Sequence, residues 1–198
     1  MAGAVEFWFE FASTYSYLAA SRVGAAARQA GIELAWRPFL LGPIFGQQGW
    51  NDSPFNIYPV KGRYMWRDME RLCAAQGLKL VRPSQFPRNG LQAARVALVA
   101  ADQGWADKFV PAVYRANFAE DRDIADPGAI AALIGALGQD AAATLTLASS
   151  EPIKQRLKAQ TAQAAQLGIF GAPSFIVGGE LFWGNDRLDQ ALAWAQRR

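Results

Sequence analysis

Hydrophobic positions alternate from Val5 to Phe11: Val5, Phe7, Phe9 and Phe11 share one face while Trp8 lies on the other, so this segment predicts a well-buried strand. Ser13 then stands where an N-cap is wanted, and Thr14 to Ala30 runs alanine-rich and proline-free up to Gly31. That pattern predicts a single helix with a glycine stop. Ile32 to Phe39 alternates again through Ile32, Leu34 and Trp36. Strand, helix and strand in such close succession predict a parallel βαβ unit with a right-handed crossover.

Gly42 to Gly62 is rich in Gly, Pro, Asn and aromatic residues and predicts a long loop bordering a site. From Arg63 the pattern turns helical, with candidates Arg63–Gln76, Leu91–Gly104, Trp105–Glu120, Pro127–Leu137 and Glu151–Leu167. Ser174–Val177 and Glu180–Trp183 flank Gly178-Gly179 as a two-residue hairpin, and Asp186–Arg197 predicts a last helix. The expected class is therefore α/β, with the order βαβ…ββα of a thioredoxin-like fold and a large all-helical insertion. Residues 1–45 and 165–198 would form the thioredoxin-like domain, and residues 46–164 an inserted helical domain with a substrate-side loop.

Composition narrows the chemistry. The 198 residues are 52% hydrophobic and 19% charged, a globular balance. The N-terminus has no basic n-region, and Glu6 and Glu10 interrupt its apolar stretch, so it does not read as a signal peptide; the longest apolar run, Ala129 to Gly138, is too short to cross a bilayer. A cytoplasmic location without membrane attachment is the expectation. Cys73 is the only cysteine and there is no histidine. A CxxC redox pair, a Ser-His-Asp or Cys-His arrangement and the usual zinc sites are thereby excluded, and no metal is expected. The net charge of +3 is spread among carboxylates, which argues against a nucleic-acid partner.

Several residues combine a plain role with a chemical one. Ser13 caps a helix, and it also lies at the C-terminal edge of the parallel strands, where ligands of such sheets bind. Pro173 precedes a strand, a position that tolerates its missing N–H. Asn185 and Asp186 suit the cap of the last helix. Lys61 is a solvated loop lysine on its own, and Asn51 and Asn89 serve turn chemistry. Cys73, between Leu72 and Ala74, reads as a small buried apolar group. Trp8, Trp36 and Trp183 read as packing residues.

The motif Phe9-Glu10-Phe11-Ala12-Ser13-Thr14-Tyr15-Ser16-Tyr17-Leu18 resembles the opening motif of 2-hydroxychromene-2-carboxylate isomerases, and Gly168-Ile169-Phe170-Gly171-Ala172-Pro173-Ser174-Phe175 resembles their second. Segments starting at Pro59, Phe86 and Phe182 match in order, so the likeness spans essentially the whole chain. These proteins are similar to kappa-class glutathione transferases and, more distantly, to DsbA-type oxidoreductases. The resemblance implies glutathione as cofactor, with the Ser13 hydroxyl donating to its thiolate. It implies a cis bond before Pro173, and Ala172 binding the cysteinyl part through its backbone. Asn185 and Asp186 would hold the γ-glutamyl end, and Lys61, with Asn51 nearby, the glycyl carboxylate. Thr14 stands where the family often has proline, which alters the entry of the helix.

The expected activity is a glutathione-dependent isomerisation of 2-hydroxychromene-2-carboxylate and trans-o-hydroxybenzylidenepyruvate by reversible thiolate addition, or of a related intermediate of aromatic breakdown. The substrate would be a small aromatic carboxylate, with Trp50, Arg63, Tyr64, Arg88 and Asn89 as candidate contacts. A homodimer is what the resemblance implies. A kappa-like transferase and a non-catalytic thioredoxin-fold binding module are the alternatives.

Overall fold

The computed structural model describes residues 3–197. Its four strands are β1 (Val5–Phe9), β2 (Leu34–Pro38), β3 (Ser174–Val177) and β4 (Glu180–Trp183), in the spatial order β2-β1-β3-β4. β1 runs parallel to β2 and antiparallel to β3, and β3 antiparallel to β4. The central strand is covered on both sides, which explains its nearly unbroken apolar run. On one face Phe7 stacks on Phe9 and Phe175; on the other Trp8 packs edge-on against Phe39. Glu6 is kept in this setting by Arg37 at 2.8 Å and by the indole N–H of Trp8 at 3.0 Å.

The first helical segment is broken in two, α1 (Thr14–Ala20) and α2 (Val23–Ala30). The cause is local: the Ser21 hydroxyl donates to the Leu18 carbonyl at 2.7 Å, and the Arg22 N–H turns back to Ala19. Serine competing for backbone groups tightens the turn. Gly31, at φ 67°, closes α2 in the left-handed conformation as expected.

The segment 42–62 is not a loop. It carries α3 (Leu41–Gln47) and α4 (Pro54–Ile57), and α5 begins at Pro59 and runs to Ala75. The prolines that suggested irregular chain sit at helix starts, where a missing N–H costs nothing. Beyond lie α6 (Leu91–Asp102), α7 (Ala106–Ala119), α8 (Pro127–Ala136), α9 (Ala141–Ala148) and α10 (Glu151–Gln166). Of these α9 has no sequence-derived counterpart, because AAATLTLA lacks a polar face; its signal is Asp140, which accepts from the Ala143 N–H at 2.9 Å.

These helices and the strands share one continuous apolar core that joins Phe7, Phe9 and Phe175 to Tyr114, Phe118 and Ile134. A smaller cluster of Trp8, Phe39, Ile44, Ala164, Ile169 and Ile176 fills the opposite face of the sheet under α3 and α10. At that face Thr161 accepts from the Leu40 N–H and Gln160 donates to the Pro38 carbonyl, so side chains of α10 satisfy two backbone groups at the end of β2. The last helix, α11 (Leu188–Gln196), starts after a 3₁₀ turn, Asn185–Arg187, rather than at Asp186. No helix of the described residues is long and apolar enough to cross a membrane.

Candidate active site

Ser13 sits between the end of β1 and the start of α1 in extended backbone, φ −77° and ψ 119°. Its Oγ accepts from the Ser16 N–H at 3.2 Å and donates to the Ala172 carbonyl at 2.8 Å. The cap is thus also a bridge between chain segments far apart in sequence. The Ala172-Pro173 bond is cis. The Pro173 carbonyl accepts from Gly184 at 2.9 Å, which ties the hairpin end to the same locus and sets Asn185 beside it. Among the described residues the N–H groups of Thr14, Tyr15 and Ala172 have no partner within the chain. One hydroxyl and three free donors therefore cluster where β1 ends, a set suited to an anion and an extended peptide.

Asn185 is buried and does not cap α11. Its side-chain carbonyl and its backbone carbonyl both accept from Arg22, the latter at 2.6 Å, and Arg22 also pairs with Asp189 at 3.0 Å. The break between α1 and α2 is what delivers Arg22 there. Asp186 remains exposed, 3.5 Å from Arg187.

Glu10 is the residue that sequence reasoning passed over. Its Oε1 accepts from the Ala12 N–H at 3.2 Å, and its backbone carbonyl accepts from Ser13 N–H and from the Tyr114 hydroxyl. Burial raises the carboxyl to about 7, against the Ala12 and Phe11 N–H groups that lower it. Gly90 packs on it: a Cβ there would stand 2.9 Å from Phe11 Cβ and 3.1 Å from Glu10 Oε1. An acid at the end of an apolar strand, with no arginine beside it as Glu6 has in Arg37, was the available signal.

The other candidates divide. Trp50 packs against Phe45 and Tyr58, and Lys61 on α5 places its ammonium 4.6 Å from the centre of the Tyr58 ring. Phe55 of α4 meets Tyr15 of α1, and this contact brings the Trp50–Lys61 cluster to the Ser13 side of the molecule. Asn51 and Arg63 are exposed and their side chains bond to no other described residue; Tyr64 is exposed under Arg71. Arg88 has a different setting from that of a ligand contact. Its side chain is 3% exposed and it donates to Asn117, Ser84, the carbonyls of Asp121 and Arg122, and the Asp121 carboxylate. It fastens the 84–89 loop to α7, whose Asn117 donates in turn to the Phe11 carbonyl at 3.1 Å. Asn89 caps α6 at the Leu91 N–H, 2.9 Å away. Cys73 is buried, and burial pushes its thiol up to about 11, which leaves it inert.

Comparison with known proteins gives the family and the fold. Residues 4–193 match the family model of the DSBA-like thioredoxin domain. The chain is 33% identical over 190 residues to the 2-hydroxychromene-2-carboxylate isomerase of Sphingobium xenophagum, covering 96% of each. It is 32% identical over 187 residues to the enzyme of the same name from Pseudomonas putida, covering 93% of this chain and 90% of the other. A solved 2-hydroxychromene-2-carboxylate isomerase superposes with a TM-score of 0.87 at 28% identity, over 98% of this chain and 95% of that one. With its Ser13 bridge and cis-Pro173 in a mixed four-stranded sheet, the chain belongs to the 2-hydroxychromene-2-carboxylate isomerase family of DsbA-like thioredoxin domains.

Proposed function

We propose that this isomerase is glutathione-dependent and interconverts 2-hydroxychromene-2-carboxylate and trans-o-hydroxybenzylidenepyruvate. The observation that carries the reading is the Ser13 hydroxyl, polarised by the Ser16 N–H and aimed at the Ala172 carbonyl. It stands in a chain whose one cysteine is buried far from it in sequence, on α5. A thiol held here must come from outside.

The donor set fits glutathione. Ala172 offers a free N–H and a carbonyl to the cysteinyl peptide, as an added strand segment requires. The Asn185–Asp186 turn offers Asp186 to the γ-glutamyl ammonium. Lys61 has no carboxylate partner among the described residues and suits the glycyl carboxylate, with exposed Asn51 as a further contact. When bound, glutathione supplies a nucleophile that adds reversibly to the conjugated carbon, so that the double bond rotates as a single bond.

What the chain itself does is hold charge. With glutathione bound, the Ser13 hydroxyl, which donates to the Ala172 carbonyl here, would be the residue to donate to the thiolate, and the Ala172 carbonyl would be the acceptor for the cysteinyl N–H. The Thr14 and Tyr15 N–H groups add fixed positive ends. A free thiol has a pKa of about 8.5, and such surroundings lower it by about a unit or more. Glu10, poised near neutrality, holds a proton behind the Ser13 turn. Trp50 offers an aromatic wall to a flat substrate, and the enzyme would act in the cytoplasm as a homodimer.

An ultraviolet assay with 2-hydroxychromene-2-carboxylate tests the reading. Turnover is expected only with added glutathione, whose total amount stays constant. Turnover without glutathione contradicts the proposal, and stoichiometric consumption marks a transferase instead.

A further inference from the structure

Two adjoining cavities meet at Arg95 on α6. One is a cleft of about 560 Å³ between α3, α6 and α10, with Pro43, Ile44, Leu91 and Leu157 in its walls. The other, about 280 Å³, is more polar and is bordered by Asn89, Gln92 and Ser149. Leu91 and Arg95 border both, as positions four apart on one helix face do.

Arg95 differs from the other arginines that are not fully exposed. Arg22 meets Asp189, Arg37 meets Glu6, Arg88 meets Asp121 and Arg122 meets Glu120. Arg95 has neither a carboxylate nor a hydrogen-bond partner among the described residues, and its Nε is buried. The half-buried guanidinium lines both cavities, and its buried Nε is a donor that a bound carboxylate would satisfy. The remaining charges on the cleft are Lys154 and Lys158, and Glu151, which Gln155 engages at 2.6 Å and Lys154 at 4.0 Å. The cleft is therefore apolar in its walls and positive in balance.

We infer that this cleft seats a planar aryl carboxylate, with its hydrocarbon body against Ile44, Leu91 and Leu157 and its carboxylate on the Arg95 guanidinium. Asn89 and Gln92 supply amide donors from the polar side, since only the side-chain oxygen of Asn89 is taken by its helix cap. Guanidinium and carboxylate match as a two-point pair. Gly90 lies against Glu10 and Phe11, so α6 starts beside the Ser13 turn, and Arg95 lies about 7.5 Å further along the helix. The cleft thus lies along the helix that begins beside the Ser13 turn. The inference rests on the isomerase reading and deepens it by naming the residue that selects for the acid.

Calorimetric titration with trans-cinnamate and its neutral counterpart trans-cinnamamide tests it without turnover. The wild type should bind the acid at least about tenfold more tightly than the amide, the worth of one charge-assisted hydrogen bond. Arg95→Gln should erase that difference while leaving amide affinity and the melting-temperature rise with glutathione unchanged. Arg95→Lys should restore part of it, and Arg28→Gln, at an exposed arginine of α2, should change nothing. Equal affinity for acid and amide, no binding of either at millimolar concentration, or unaltered cinnamate binding by Arg95→Gln would overturn the inference. Arg95-dependent binding in a protein without glutathione-dependent turnover would sink the isomerase chemistry and leave the carboxylate site standing.

Discussion

Arg88 and Arg95 flank the same glycine, Gly90, yet the two sides of it are built on opposite terms. On the near side the 84–89 loop closes on itself: the two terminal nitrogens of Arg88 meet carbonyls, an amide, a hydroxyl and the Asp121 carboxylate, and its buried Nε has only Asp123 at 3.9 Å. On the far side Arg95 is half-buried with no partner among the described residues, above a cleft large enough for a small aromatic acid. A charged residue in a core-facing position is a scaffold when the protein supplies its counter-charge, as Asp121 does for Arg88. It is a candidate contact when the protein leaves one out.

The largest effect expected on this contrast is from Arg88→Ala. It strips hydrogen bonds from Asn117, Ser84 and the carbonyls of Asp121 and Arg122, and should cost about 3 kcal/mol, lowering Tm by about 6–12 °C. Once folded, the variant should keep its KM for the aromatic acid. Arg95→Gln should behave inversely, with stability within about 0.5 kcal/mol of the wild type in thermal melts. If Arg95→Gln proved the more destabilising of the two, the contrast would be false.

Glu10, which touches Gly90 between the two regions, should set a smaller, pH-dependent term. Its carboxyl ionises near 7 in the folded chain and near 4.5 unfolded, so stability is full below about 4.5 and falls as pH rises to 7. Glu10→Gln should remove that slope and be the more stable form at pH 8, by no more than about 3 kcal/mol. Parallel stability profiles of the two proteins between pH 4 and 8 would contradict the burial assigned to Glu10. The smallest effect concerns Cys73: its raised thiol should be left unlabelled by an alkylating reagent at pH 7.5 in the folded chain and be labelled after denaturation.

Much of this was legible in the sequence where one residue decides a local outcome. Ser13 as a cap, Gly31 as a helix stop, the hairpin at Gly178-Gly179 and the βαβ…ββα order all follow from periodicity and turn chemistry. The sequence did not show where side chains meet across the fold. Arg88 and Arg95 have the same composition-level signature, and only packing distinguishes the guanidinium surrounded by acceptors from the one without any. Arg22 reached Asn185 only because Ser21 broke a helix that alanine content alone would have continued. The prolines of segment 42–62 looked like loop formers because their meaning depends on whether they stand first or later in a helix. Glu10 was visible as an acid in an apolar strand, but its role depends on Gly90, far away in the chain.

The account stands most directly on the kcat of Ser13→Ala at saturating glutathione, measured with 2-hydroxychromene-2-carboxylate. If Ser13 donates to a glutathione thiolate as proposed, loss of its hydroxyl should lower kcat by about a hundredfold or more, as for removal of one donor to a developing anion. The melting temperature without glutathione should be lowered only by about the 1 kcal/mol that a lost cap costs. Turnover equal to that of the wild type would show that the thiol is not activated at Ser13.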